Sequence, residues 1–141
     1  MNSSSETPNP SSVPGSCLCG AVRFEVELST RFCVHCHCSM CRRNHGAAFV
    51  TWFGVPRTQF RLLDGESILT RYPSSDHGSR SFCSRCGTSL FCELDRDPET
   101  IDITLASVQA PIDHAPQAHV HFGTHVEWVE FLDQLPKVDT A

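Results

Sequence analysis

No stretch of the chain approaches the roughly 18 consecutive apolar residues that a membrane-spanning helix needs. The opening residues, Met1-Asn2-Ser3-Ser4-Ser5-Glu6, carry neither a basic nor an apolar leader region, so a soluble, cytoplasmic protein is expected. Basic charge is scarce as well. Eleven Lys and Arg stand against 16 Asp and Glu, giving a formal charge of −5. That balance argues against a nucleic-acid backbone or an anionic membrane as the main partner, and a cytoskeletal role would need a basic region the chain does not have. Helical periodicity is nearly absent. The single candidate is a short turn at Ser39-Met40-Cys41-Arg42-Arg43, with Ser39 as its cap and Gly46 as its stop. No internal repeat and no second domain is visible, and 141 residues fit one core.

What is present in excess is cysteine, nine residues in all. Their number is odd, and Cys36-x-Cys38-x-x-Cys41 crowds three thiols too closely for comfortable disulfide geometry. Metal binding is the better reading. If seven thiols ionise around two Zn²⁺, the formal charge falls from −5 to about −8.

Residues 1–16, MNSSSETPNPSSVPGS, are rich in Ser and Pro and show no apolar period, which predicts a disordered tail ahead of a domain over 17–141. From Ala21 the pattern changes. Val22, Phe24, Val26 and Leu28 alternate with Arg23, Glu25 and Glu27, the period of a strand with one wet face. The same theme recurs at Phe49 to Phe53, Phe60 with Leu62, Ile68 with Tyr72, Leu90-x-Cys92-x-Leu94, Ile101-x-Ile103-x-Leu105, and Val126 to Leu132. Turn signals at Gly54 with Pro56, Asp64-Gly65, Pro73 to Gly78 and Asp95 to Pro98 separate them. Short strands at this spacing predict a mainly β, antiparallel domain.

A first cluster joins Cys17-x-Cys19-Gly20 to Cys83-x-x-Cys86-Gly87, with 63 residues between Cys19 and Cys83. Four thiolates close a tetrahedron around zinc, and the glycine after each pair suits a knuckle that needs positive φ. Closing the loop costs about 4 kcal/mol, whereas structural zinc in finger peptides contributes about 10–16 kcal/mol. A full four-sulfur shell leaves no position for a substrate, so this site reads as structural.

The second cluster, Cys36-His37-Cys38-Ser39-Met40-Cys41, offers three sulfurs and no evident fourth ligand. An open position is what catalytic zinc requires. The spacing equally allows a second structural site completed by Cys33, Cys92, His119 or His121. In a Cys-x-Cys clip the middle side chain projects away from the metal, which puts His37 at the rim. Joining Cys33-x-x-Cys36 to Cys83-x-x-Cys86 as a ribbon would need a separation of about 15–20 residues, and 46 lie between them. Cys92, in an alternating apolar strand, reads as a small core residue, as Phe49 and Trp52 do. His119 and His121 would share one face of a strand. Arg42 and Arg43 follow the clip and are candidates to bind substrate carboxylates, with Arg80 a weaker one.

The segments Gly15 to Val22, Cys36 to Arg43 and Arg80 to Leu90 together resemble the glutathione-dependent formaldehyde-activating enzyme and centromere protein V family. The likeness continues through Gly46, Trp52, Tyr72, Ser75, Pro116, His119, Trp128 and Leu135-Pro136. It implies a tent-like zinc fold of small antiparallel sheets. It also implies a structural zinc at Cys17, Cys19, Cys83 and Cys86, and an active-site zinc at Cys36, Cys38 and Cys41. The activity it implies is that of a carbon–sulfur lyase joining glutathione and formaldehyde as S-hydroxymethylglutathione, or cleaving that adduct. Rival readings from the residues are a non-catalytic glutathione carrier or zinc-stabilised binding module, and a redox sensor at the Cys36-Cys38-Cys41 clip.

Overall fold

The computed structural model describes residues 11–140 and is mainly β. Its strands run β1 Ser12–Ser16, β2 Arg23–Glu27, β3 Phe32–Cys36, β4 Val50–Pro56, β5 Phe60–Asp64, β6 Leu69–Ser75, β7 Gly78–Cys83, β8 Ser89–Leu94, β9 Thr100–Thr104 and β10 His119–Val120. A single α-helix among the described residues, α1 (Ser39–His45), follows β3. The strands form a three-stranded sheet in the order β1-β2-β5 and a seven-stranded sheet in the order β10-β3-β4-β9-β8-β7-β6. All pairings are antiparallel except that of β10 with β3, which is parallel.

The alternation from Val22 to Val26 does what its period dictates. Phe24 and Val26 are buried while Arg23 and Glu27 are exposed. Phe24 of β2, Phe60 of β5 and Phe91 of β8 meet with ring centroids 5.0–5.7 Å apart and tie the small sheet to the large one. Burying side chains of this size contributes about 1.5–3 kcal/mol each. Behind them Phe53, Val55, Leu90, Ile101 and Ile103 complete the core. Gly15 lets β1 lie over this cluster, because a Cβ there would stand 2.2 Å from the Phe24 ring.

Four expectations are corrected. Residues 12–16 are not a disordered tail: they form β1, whose partner β2 supplies the pairing that their composition does not advertise. Residues 1–10 of the expected tail lie outside the described residues. Val126 to Leu132 forms no strand. Its apolar residues pack separately, with Val126 buried and the Phe131 ring set 4.9 Å from that of His37. The helix is capped by Cys38 rather than Ser39, since the Cys38 sulfur accepts the N–H of Cys41 at 3.2 Å; Gly46, at φ 60, ends it as expected. His119 and His121 do not share a strand face, because the chain turns to φ 52 at His121 directly after β10.

Candidate metal centres and the cavity beside the second

The first cluster sits where three chain segments converge. Cys17 and Cys19 follow β1, Cys83 ends β7, and Cys86 lies in the turn to β8. All four sulfurs fall within 4.8 Å of one another. The Cys17–Cys19 and Cys19–Cys83 separations are 3.6 and 3.9 Å. A tetrahedral zinc with bonds of about 2.3 Å sets its sulfurs about 3.8 Å apart, so this donor set fits the ion. Gly20 (φ 80) and Gly87 (φ 84) turn the two knuckles. They aim backbone N–H groups at sulfur: Val22 donates to Cys17 at 3.2 Å and Arg85 to Cys83 at 3.4 Å. Such donors favour thiolate over thiol. Hydrogen bonds from the Thr88 side chain and backbone push the Cys86 thiol down to about 5.

The second cluster is built by the end of β3 and the start of α1. Cys36, Cys38 and Cys41 bring their sulfurs within 4.8 Å of one another, with 3.5 Å between Cys36 and Cys41. Among the described residues, no fourth Cys, His, Asp or Glu joins them. Cys33 is buried in the main core and Cys92 packs beside the cluster in the cavity wall without joining its sulfurs, and burial pushes their thiols up to about 11 and about 12. Three donors converge on this cluster. Trp52 Nε1–H points at the Cys41 sulfur at 3.4 Å, and both terminal nitrogens of Arg80 reach it at 3.5 Å. Arg80 is only 6% exposed. The Cys36 and Cys41 thiols hydrogen-bond to Cys38, which with help from Arg80 pulls the Cys38 thiol far down, while the same sharing pushes Cys36 far up.

A cavity of about 620 Å³ opens beside this cluster, lined by all three of its cysteines together with Trp52, Arg80 and Asp102. Phe32, Val34, Leu94 and Val120 make much of the remaining wall apolar. Arg42 and Arg43 do not line it: Arg43 is exposed on α1, and Arg42 is half-buried with its Nε unpartnered. Arg80, the weaker candidate by sequence, is the cation the fold brings to the sulfurs. In the sequence it is marked only by its place three residues ahead of Cys83; its burial and its contact with Cys41 come from cross-strand packing.

His37 is fully buried, not at the rim. Its Nε2 lies 2.8 Å from Nδ1 of His119, whose Nε2 lies 2.9 Å from an Asp133 carboxylate oxygen. Phe49, Phe122 and Phe131 surround the pair. Burial, with His119 next to it, holds the His37 imidazole down at about 4. His119 therefore braces the clip from behind, and His121 stands at the edge of the cavity.

Comparison with known proteins identifies the family of the chain. The family described as glutathione-dependent formaldehyde-activating enzyme matches residues 12–124. A Halomonas elongata protein provisionally named as such an enzyme is 28% identical over 123 residues, covering 82% of this chain and 78% of its own. An uncharacterised lyase of Schizosaccharomyces pombe is 29% identical over 82 residues, covering 55% of this chain and 54% of its own. The crystal structure of a Rhodobacter sphaeroides protein superposes with a TM-score of 0.56 at 26% identity, over 88% of this chain and 98% of that one. Among the described residues, no helix is long and apolar enough to cross a membrane.

Proposed function

The chain belongs to the glutathione-dependent formaldehyde-activating enzyme family, and from that membership we propose that it is a zinc-dependent carbon–sulfur lyase, interconverting glutathione and formaldehyde with S-hydroxymethylglutathione. The observation that carries this reading is a three-sulfur cluster, joined by no fourth Cys, His, Asp or Glu among the described residues, opening onto a cavity. Cys17, Cys19, Cys83 and Cys86 would hold a structural Zn²⁺, and Cys36, Cys38 and Cys41 a second one. That second ion, when bound, supplies a site at which a substrate thiol ionises near neutral pH.

The chain's own groups support that chemistry. Three thiolates around Zn²⁺ leave a net charge of about −1, and a substrate thiolate makes it more negative. Arg80, buried against Cys41, offsets that charge where water cannot. The Trp52 N–H draws on the same sulfur and reduces its donation to the ion. The apolar wall of Phe32, Val34, Leu94 and Val120 limits water beside the reacting carbonyl. All nine cysteines are unpaired, which supports a reducing, glutathione-containing compartment, the cytoplasm, as its place.

The test is the rate of glutathione–formaldehyde adduct exchange, measured by nuclear magnetic resonance against the spontaneous reaction. Acceleration that disappears in Cys38→Ser supports the lyase. Stoichiometric glutathione binding with an unchanged rate makes the protein a carrier instead.

A further inference from the structure

We infer that Asp102 is the proton-transfer residue of this site, giving a proton to the aldehyde oxygen as the carbon–sulfur bond forms and recovering it as the bond breaks. The inference rests on the lyase reading above and assigns a role to a residue outside both sulfur clusters.

The placement follows from the sheet. In β9 the core takes Ile101 and Ile103, so Asp102 between them points to the opposite face. Register aligns it in one row across five strands: Arg80 of β7 opposes Cys92 of β8, which opposes Asp102, which opposes Gly54 of β4, which opposes Phe32 of β3. Directly opposed residues share a face. Every member of the row except Gly54 lines the cavity that also holds Cys36, Cys38 and Cys41. Where the row passes Gly54 the Phe32 ring lies over the backbone, since a Cβ there would stand 2.3 Å from it. The floor of the cavity is thus apolar to one side of Asp102 and cationic to the other.

Asp102 is half-buried, and no described residue hydrogen-bonds to its carboxylate. A structural carboxylate in such a place normally has a partner. The charged and titratable groups facing it are Arg80 from β7, Cys92 from β8, and Arg96 and Asp97 from the turn between β8 and β9. Arg31, before β3, pairs with Asp97 at 3.9 Å, and His77 and His121 stand at the cavity edge. Burial, reinforced by Asp97, pushes the Asp102 carboxyl up to about 7 against the pull of Arg96 and Arg80. A carboxyl that titrates there can both give and take a proton under working conditions.

The chemistry needs one such group. When a substrate thiolate adds to an aldehyde, the C–S bond forms and the carbonyl π pair moves to oxygen, which must take a proton. Asp102 as the carboxylic acid donates it, and solvent reprotonates the carboxylate. The proton shed by the thiol on ionising has gone to solvent, so the balance closes without oxidant or reductant. In cleavage the Asp102 carboxylate takes the hydroxyl proton, the carbonyl reforms, and the C–S pair returns to sulfur.

The experiment compares zinc-loaded wild type and Asp102→Asn in adduct formation and cleavage from about pH 5 to about pH 9, alongside infrared spectra of both proteins. Asparagine has nearly the same shape and adds no charge, so thermal unfolding should show a folded protein. Expected is a kcat reduced by about 10²–10⁴ with little change in KM for glutathione, and loss of the ionisation near neutrality from the pH profile. A carboxylic-acid carbonyl band that disappears as pH rises through about 7 should be present in wild type and missing from the variant. An unchanged kcat and profile in the variant, or the same band persisting in it, would overturn the assignment. Wild type no faster than the spontaneous reaction would instead remove the lyase reading itself.

Discussion

Nε2 of His37 and Nδ1 of His119 lie 2.8 Å apart inside a cage of phenylalanines, one histidine in the middle of the Cys36–Cys38 clip and the other on β10. The Asp133 carboxylate accepts the Nε2–H of His119, which leaves Nδ1 of His119 to accept the Nε2–H of His37. The C-terminal segment thereby fixes the ring between two of the three clip cysteines. His119→Phe would keep the aromatic volume and strand the His37 donor. We expect a loss of about 1–3 kcal/mol in stability, read as a lower urea midpoint. An unchanged midpoint would show that the pair does not brace the clip.

The two sulfur clusters should respond differently to the same substitution. Cys17→Ser or Cys83→Ser removes a buried sulfur of the first cluster, which joins β1 to the β7–β8 turn, and should impair folding. Cys38→Ser should lose one zinc per chain and keep the β-sheet signature in circular dichroism, since the larger core cluster contains none of the three clip cysteines. Loss of folding in both cases would contradict the division into structural and functional sites.

Arg80 should govern the second site without touching the first. Arg80→Leu removes a buried cation from beside Cys41 and should weaken the more labile zinc by about 10–100-fold in chelator competition. Arg80→Lys keeps the charge and loses the two-pronged contact, so an intermediate value is expected. Equal affinity in all three proteins would mean that Arg80 only fills space.

His45 provides a pH test. Burial, then Arg80, lowers its folded-state value from 6.5 to about 4. The unfolded chain therefore takes up a proton between about pH 6.5 and pH 4 that the folded chain refuses, and stability contributed by the neutral ring is lost as pH falls through that window. His45→Gln has no such group. Relative to wild type it should be more stable at pH 5 than at pH 7, by urea unfolding at each pH. A pH-independent difference would contradict the burial of His45 as a neutral ring.

Much of the fold was legible because period two survives wherever one sheet face is wet. Val22 to Val26 and Ile101 to Ile103 are buried in the predicted alternation. β3 and β7 were not legible. In Phe32–Cys36 both faces carry buried or half-buried side chains, and Gly78–Cys83 is mostly polar because its Arg80 serves the second cluster. β1 was masked by Ser and Pro, which an edge strand tolerates. Both cysteine groupings were legible from local spacing. Arg80 was legible only as a weaker substrate candidate, and Asp102 and Asp133 were not legible, because cross-strand register and a distant C-terminal contact bring these three to the site.

The most direct test of the central claim is zinc content per chain, with zinc-edge X-ray absorption on reduced protein before and after adding glutathione. The account predicts two zinc ions, with sulfur coordination at the Cys36, Cys38 and Cys41 site rising from three to four when glutathione is added. A single four-sulfur zinc, unchanged by glutathione, would contradict it.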